Sequence, residues 1–590
     1  MLIGVLLLSL AFPSRWSGVS VVLAQSSSTR TSSSVVSTTT NTLSSTSIST
    51  ATASFPPIGS IRRDYTPEGL ERLWDIIRPV EAPPFTTTRV PSAAVTLPPS
   101  PPPLYPSFYA PSPKDVLPDV KFPKGFKFGI ATSAYQVEGA TKNEGKGPSM
   151  WDWASRQPNA VLDNTTADVV DLHYFLYKED IQRVAALGVT AHSFSISWAR
   201  IYPFGAADSP VNTAGIDHYS DVIDYHLAHG MEPVVTLPLG YTSRPSGLLR
   251  GFTSPEIVDD FVNYAKTVFK AYNGRVKTWY TFNEPRIYCG QVATSPFDTT
   301  LALGVNSSTA PYQCAYNLLK AHAGAVKAFR AMNISGKITF KNTDYIGTPW
   351  RSNSTEDALA VERHAAFEIG LFSNPVYTTG DWPDIVKDTL PRFTDQEKID
   401  ILGSADFFAI DTYFSLWVKA PDTGIDACVA NLSHPLWPVC NEPAYFDSDY
   451  GWPAGPVGDP VALPLQAAPV AIRALLKGLH SRWPSNKFYV SEFGFMEPFA
   501  YANADISQIK EDVLRTNSLL TYLGEMLLSI YEDDVPIQGA FTWAMLDNAE
   551  WSVGTSMRYG IQHVDYTTLE RTYKRSALSL AEFFGAHLQD

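Results

Sequence analysis

Cysteine is scarce in this chain. Its 590 residues include four, Cys289, Cys314, Cys428 and Cys440. None forms a CxxC pair or a His/Cys cluster, so no metal and no cofactor are expected. In an oxidising compartment the economical pairing is Cys289–Cys314 with Cys428–Cys440, each closing a local loop, and two other connectivities are open. Positive charge is short as well: 45 Lys and Arg face 59 Asp and Glu, a net charge of −14. Nucleic acid, whose phosphates need a basic surface, is therefore not an expected partner. There is no phosphate loop and no dinucleotide fingerprint. The apolar run Leu2 to Phe12 is too short to span a bilayer. The C-terminal AEFFGAHLQD has no hydrophobic tail, so no membrane anchor is expected.

The N-terminus reads as an address and a tether. Residues 1–24, with small residues at Val22-Leu23-Ala24, read as a secretory signal and imply an extracellular, secreted protein. Five acceptor tripeptides agree with that: Asn164, Asn306, Asn333, Asn353 and Asn431. Residues 25–118 form a Ser/Thr/Pro-rich region that cannot bury enough apolar surface to offset chain entropy, and it is expected to be a disordered, O-glycosylated tether. One stretch inside it, 66–77 (TPEGLERLWDII), has helical apolar spacing and is expected to form a short helix that docks on the main domain.

From residue 119 to 590 the pattern changes. Hydrophobic residues make up 44% of the chain and charged residues 18%, enough to build a large core. Eight strand-like runs are predicted: Lys127–Ala131, Ala191–Ile196, Pro233–Leu237, Thr278–Asn283, Lys337–Lys341, Phe407–Asp411, Lys487–Glu492 and Gly539–Trp543. Helical stretches fall between most of them, among them Val169–Leu187, Gly215–His229, Pro255–Tyr272, Ala315–Met332 and Ile506–Tyr531. This alternation fits an α/β (β/α)8 TIM barrel, with a doubly wound open sheet as the alternative. The barrel is favoured because Asn283-Glu284, Asp411 and Glu492 close their strands with polar groups, which is where such barrels carry their chemistry.

Two of those residues set the expected reaction. Glu284 in WYTFNEP and Glu492 in FYVSEFGF each end a β-branched and aromatic run. Two carboxyls delivered to the mouths of separate strands can divide acid and nucleophile roles across a glycosidic bond. The 14 Trp, 28 Tyr and 31 Phe are first of all material for a core, and some could line a groove for the flat faces of sugars.

The motifs resemble glycoside hydrolase family 1, the β-glucosidase family, from Phe122 to the C-terminus. The resemblance rests on FPKGFKFGIATSAYQVEGA, LHYFLYKEDIQRVAALGVTAHSFSISWARIYP, TFNEP, WAMLDNAEW and RYGIQHVD. It implies a retaining β-glycosidase acting on a small carbohydrate or glycoside through a covalent glycosyl-enzyme. Glu284 would be the general acid/base and Glu492 the nucleophile. Asn283 would face the sugar 2-hydroxyl, and Tyr413 would hydrogen-bond Glu492. Gln136, Glu550 and Trp551 would hold glycone hydroxyls, with Trp543 as a stacking wall. Departures cluster around one subsite. SEFG replaces the family's TENG. Ser193 stands where the family has an arginine that contacts the nucleophile. Leu239 and Gly240 replace a His and a Trp, and Asp411 replaces an Asn. Arg244, in the altered loop, is a candidate substitute cation. The alternatives to a hydrolase are a weakened carbohydrate-binding pseudoenzyme and a transglycosylase. Nothing in the sequence speaks to the oligomeric state.

Overall fold

The computed structural model describes residues 64–77, 79–102, 120–237, 251–302, 304–343, 346–387, 390–458, 466–497 and 505–589. The signal segment, Leu239, Gly240 and Arg244 lie outside the described residues.

Eight parallel strands close into a barrel: β1 Lys127–Ala131, β2 Ala191–Ser195, β3 Glu232–Thr236, β4 Thr278–Asn283, β5 Lys337–Thr343, β6 Phe408–Asp411, β7 Phe488–Phe493 and β8 Ile537–Trp543. Neighbours in the ring are neighbours in sequence, and β8 returns to pair with β1, Lys127 beside Gly539 and Ala131 beside Trp543. The principal helices are α1 Pro67–Asp75, α2 His173–Ala186, α3 Thr213–Ala228, α4 Ile257–Tyr272, α5 Ala310–Ala331, α6 Thr355–Phe367, α7 Pro469–Arg482, α8 Val513–Glu532 and α9 Arg575–His587. The predicted eight-stranded barrel is the one observed, with strand ends shifted by one or two residues.

Strand alternation sorts side chains into two layers. Phe128, Ile130, Val235, Trp279, Ile338, Phe340, Phe408 and Val490 point outward and pack with helix residues such as Phe261, Val268 and Leu318 in the main core. Ala131, Ala191, Val234, Tyr280, Ala409, Tyr489 and Phe541 form a second cluster inside the ring. The inner layer mixes small and aromatic residues because a barrel's interior must be filled by its own side chains.

Three predicted helices differ from expectation, and the one read as Ala315–Met332 begins earlier, at Ala310. The stretch read as Val169–Leu187 becomes helical only at His173, because Leu172 takes a left-handed conformation with φ of 50°. The stretch read as Ile506–Tyr531 breaks at Asp512 into Ile506–Ile509 and α8. The buried Asp512 carboxylate is spent on Arg515 Nη1 at 2.8 Å and on the backbone and hydroxyl of Ser576. That tertiary anchor outweighs local helix continuity. The disulfides are Cys289–Cys314 and Cys428–Cys440, with Cα separations of 5.5 and 5.8 Å.

The stretch 66–77, expected to form a short docking helix, does so, and residues 79–102, expected from composition to belong to a tether, also lie against the barrel. Thr66 caps α1 by accepting from the Gly69 amide at 3.1 Å, and Pro67 fills the first turn, where an N–H is dispensable. The helix buries Leu73 and Trp74, and the turn after it buries Ile77. Trp74 packs in a cluster with Met150, Trp151, Trp153 and Phe297, and its indole N–H donates to the Lys146 carbonyl at 3.0 Å. Residues 79–102 have no helix or strand and are pinned through their backbone. Pro79 O accepts from Arg156, the Glu81 amide donates to Asp168, the Arg89 amide donates to Phe175 O, and Pro102 O accepts from Arg575. Composition does not record the docking of residues 79–102 because their partners come from the barrel and not from the segment itself.

Candidate active site

Both glutamates sit just past an irregularity in their strands. The β4–β5 register shifts between Tyr280 and Asn283, and the β6–β7 register shifts between Val490 and Glu492. Such shifts re-aim the side chains that follow. Glu284 itself is left-handed, with φ of 46° and ψ of 55°, and it caps the short helix Pro285–Gln291. A non-glycine residue held there costs on the order of 1–3 kcal/mol, a strain that clusters at functional sites. Past β7 the chain needs a glycine: a Cβ on Gly494 would sit 2.3 Å from the Trp543 carbonyl.

An oxygen of Glu284, one of Glu492 and one of Asp411 all lie within 4.8 Å of one another. Glu492 is buried, and both of its oxygens are held. Lys341 Nζ on β5 donates to Oε1 at 2.7 Å, and the Tyr413 hydroxyl donates to Oε2 at 2.6 Å. Burial and the nearby Glu492 charge push the Tyr413 phenol well above its ordinary range, so it remains a donor. Asp411 accepts from the Ser491 hydroxyl at 2.6 Å. Burial works against the charge on Lys341, but Glu492, Asp411 and Glu284 outweigh it and raise its pKa above the usual lysine value. The three carboxylates are close enough together to chelate a cation, and the Lys341 ammonium already faces all three.

The other half of the pocket comes from β8 and the loop after it. Gln136, fully buried, donates from Nε2 to Glu550 Oε2 and to Asn548 Oδ1, both at 3.2 Å. Its Oε1 has no hydrogen-bond partner among the described residues. Burial pushes the Glu550 carboxyl up to about 8, with the Glu492 charge adding to the rise and hydrogen bonds from Trp543 and Gln136 opposing it. Trp551 stacks on Tyr135, with ring centroids 5.8 Å apart and planes at 10°, and contacts Trp151 at 5.0 Å. Trp151 belongs to the cluster that holds Trp74 of α1.

Of the residues singled out in the sequence, Glu284, Glu492, Asn283 and Tyr413 gather on the β4–β7 side. Gln136, Trp543, Glu550 and Trp551 gather on the β8 side. Sequence reasoning missed Lys341, Asn548 and Tyr559, whose ring lies 6.1 Å from Tyr413. A signal for Lys341 existed. In KITFKNT it shares strand parity with Thr339 and Thr343, opposite the outward Ile338 and Phe340, and an interior lysine requires an acidic partner.

A closed parallel barrel with two glutamates at the C-terminal ends of β4 and β7, their oxygens within 4.8 Å, is the arrangement of a retaining glycoside hydrolase. Residues 119–587 match the family model described as Glycosyl hydrolase family 1. The chain belongs to that family. It is 34% identical over 480 residues to Beta-glucosidase 34 of Oryza sativa subsp. japonica, covering 77% of this chain and 90% of that protein. It is also 34% identical over 493 residues to Beta-glucosidase 44 of Arabidopsis thaliana, covering 77% and 89%. A family 1 β-glucosidase from the fungus Humicola insolens, solved in complex with glucose, superposes with a TM-score of 0.73 at 31% identity, covering 80% of this chain and all of that one. A rice β-glucosidase solved in a covalent complex with Glc superposes with a TM-score of 0.72 at 33% identity, with the same coverage. The protein is thus a glycoside hydrolase acting on O-glycosyl bonds, a retaining β-glycosidase of the β-glucosidase type.

Proposed function

We propose that Glu492 is the nucleophile and Glu284 the acid/base, acting on terminal β-linked glucosides. The observation that carries this is the Glu284–Glu492 approach, with both oxygens of Glu492 held by donors. A gap this short leaves no room for the extra water that an inverting enzyme places between its carboxyls. In the first step a Glu492 oxygen bonds to the anomeric carbon. The bond from that carbon to the leaving oxygen breaks, and Glu284 gives that oxygen its proton. In the second step Glu284 takes a proton from water, the water oxygen bonds to the anomeric carbon, and Glu492 leaves as a carboxylate. Gln136 Oε1, buried without a partner among the described residues, is oriented to accept from a sugar hydroxyl, and Glu550 beside it can bind another. Asn283, at the end of β4, fits a contact to the 2-hydroxyl, and Trp543 fits a wall beneath the ring.

The same reading places the protein outside the cell. Its two disulfides and the exposure of all five acceptor asparagines support secretion and N-glycosylation. Mass mapping of the five sites on protein from the culture medium tests this, and unmodified peptides at all five would remove it.

The test of the chemistry is Glu492→Ala on an aryl β-glucoside. Turnover should vanish, and added azide should restore part of it by attacking the vacated anomeric face, giving the inverted glycosyl azide. Near-wild-type activity in this variant would end the nucleophile assignment.

A further inference from the structure

We propose that Lys341 is the positioning residue of the nucleophile: its β5 ammonium takes the place of the guanidinium that the family carries on β2, at the position of Ser193. The proposal rests on the reading of Glu492 as nucleophile. Ser193 is buried, and its Oγ has no hydrogen-bond partner among the described residues, so β2 brings no charge to the pocket at this position. Ser193 shares strand parity with Ala191 of the inner cluster, so an arginine there would enter from the β1–β2 side of the ring. Lys341 enters from the other side, with only β6 between its strand and that of Glu492. Its ammonium is 2.7 Å from Glu492 Oε1, with both side chains almost fully buried, and it lies 5.4 Å from the Tyr280 ring centroid.

Lys341 is tied to the second glutamate as well. Its backbone pairs with Asn283, and its carbonyl accepts from the Glu284 amide at 3.1 Å. One residue therefore fixes Glu284 through its main chain and Glu492 through its side chain. Asp411 standing where the family has an asparagine fits the same exchange. It adds a negative charge opposite a lysine that can balance it, in direct register with Glu492. Among the described residues, the groups facing Glu492 are Lys341 from β5, Asp411 and Tyr413 from β6 and its end, Glu284 from β4, Tyr280 from β4 and Glu550 from the β8 loop. Lys341 is the cation among them.

The experiment measures kcat, KM and the pH profile of kcat/KM on an aryl β-glucoside for the full-length protein and three variants: Lys341→Met, Lys341→Arg, and Lys341→Met combined with Ser193→Arg. Removing one preorganised charge should cost about 10²–10³-fold in kcat/KM, mostly through kcat. The acidic limb, which reports the free nucleophile, should move upward by about 1–3 pH units in Lys341→Met, because an opposite charge favours the carboxylate. Lys341→Arg should keep the wild-type limb, and Ser193→Arg should recover part of the loss. A Lys341→Met protein with an unchanged acidic limb overturns the proposal, whether or not its activity falls, since a lysine that acts only through packing would lower activity without moving the limb. If the Met variant does not fold, Lys341→Arg decides: an upward-shifted limb in that variant overturns the proposal. Glu492→Ala runs alongside. Activity surviving there sinks the nucleophile reading itself, whereas its loss together with an unchanged Lys341→Met limb sinks only the role of Lys341.

Discussion

Glu492 and Glu550 are carboxylates of one pocket with different surroundings. Glu492 has an ammonium 2.7 Å from one oxygen and a phenol 2.6 Å from the other. Glu550 receives an amide N–H from Gln136 and a hydrogen bond from Trp543, and burial pushes its carboxyl up to about 8. The β4–β7 side of the pocket is thus organised by charge and the β8 side by packing, with Trp551 layered on Tyr135 and Trp151, and Trp151 clustered in turn with Trp74 of α1. On the proposed roles, an ammonium stands beside the carboxylate that forms the covalent bond. The carboxyl proposed to hold a hydroxyl has neutral donors, and a protonated Glu550 can donate a hydrogen bond as well as accept one.

Three experiments press on that contrast. The largest effect belongs to the charged side. With Glu284 as the proposed acid, Glu284→Gln removes the proton donor without changing the shape, so kcat/KM for substrates with poor leaving groups should fall about 10²–10⁴-fold, with little loss in the first step for activated aryl glycosides. An equal loss on both substrate types would show that Glu284 contributes position and not a proton.

The second concerns the packed side. Trp74→Ala should cost about 3–5 kcal/mol of stability, the usual range for emptying a buried aromatic site. Thermal unfolding should shift down, and KM should rise more than kcat falls, because Trp74 touches the proposed sugar pocket through Trp151, which packs on Trp551. A truncation beginning near Pro118 should behave the same way. An unchanged melting temperature in both would mean that α1 rests on the barrel without bracing it.

The smallest effect is electrostatic. The Glu550 carboxyl is raised from its ordinary 4.5 to about 8, so the folded protein binds a proton there that the unfolded chain has lost. Stability contributed by this group is complete below about pH 4.5 and is lost as pH rises toward 8. Glu550→Gln should flatten the fall in stability across that window and remove any rise in KM near pH 8. A slope identical to wild type in denaturant titrations at pH 5 and pH 8 would count against a raised Glu550.

The barrel was legible because each strand and helix carries its own period, and strand ends missed by only one or two residues. The exceptions have named causes. Leu172 in a left-handed turn and Asp512 bound to Arg515 and Ser576 are decided by contacts that local periodicity does not record. Gln136, Glu284 and Glu550 were singled out because each lies inside a recognisable motif, and Glu492 and Tyr413 because each lies at the end of a strand-like run. Lys341 was not, because KITFKNT reads only as a strand, and the residue that gives its lysine a purpose lies 151 positions away.

By itself the sequence determined the alternation of strands and helices, the closed barrel it builds, and the two glutamates at strand ends, since each is written in a local period or a short motif. The tertiary structure alone decided which cation meets Glu492, which carboxyl has its pKa raised, and where residues 79–102 are pinned. Those outcomes depend on distance and burial between segments far apart in the chain, and a buried charge has no fixed character until its neighbours are in place.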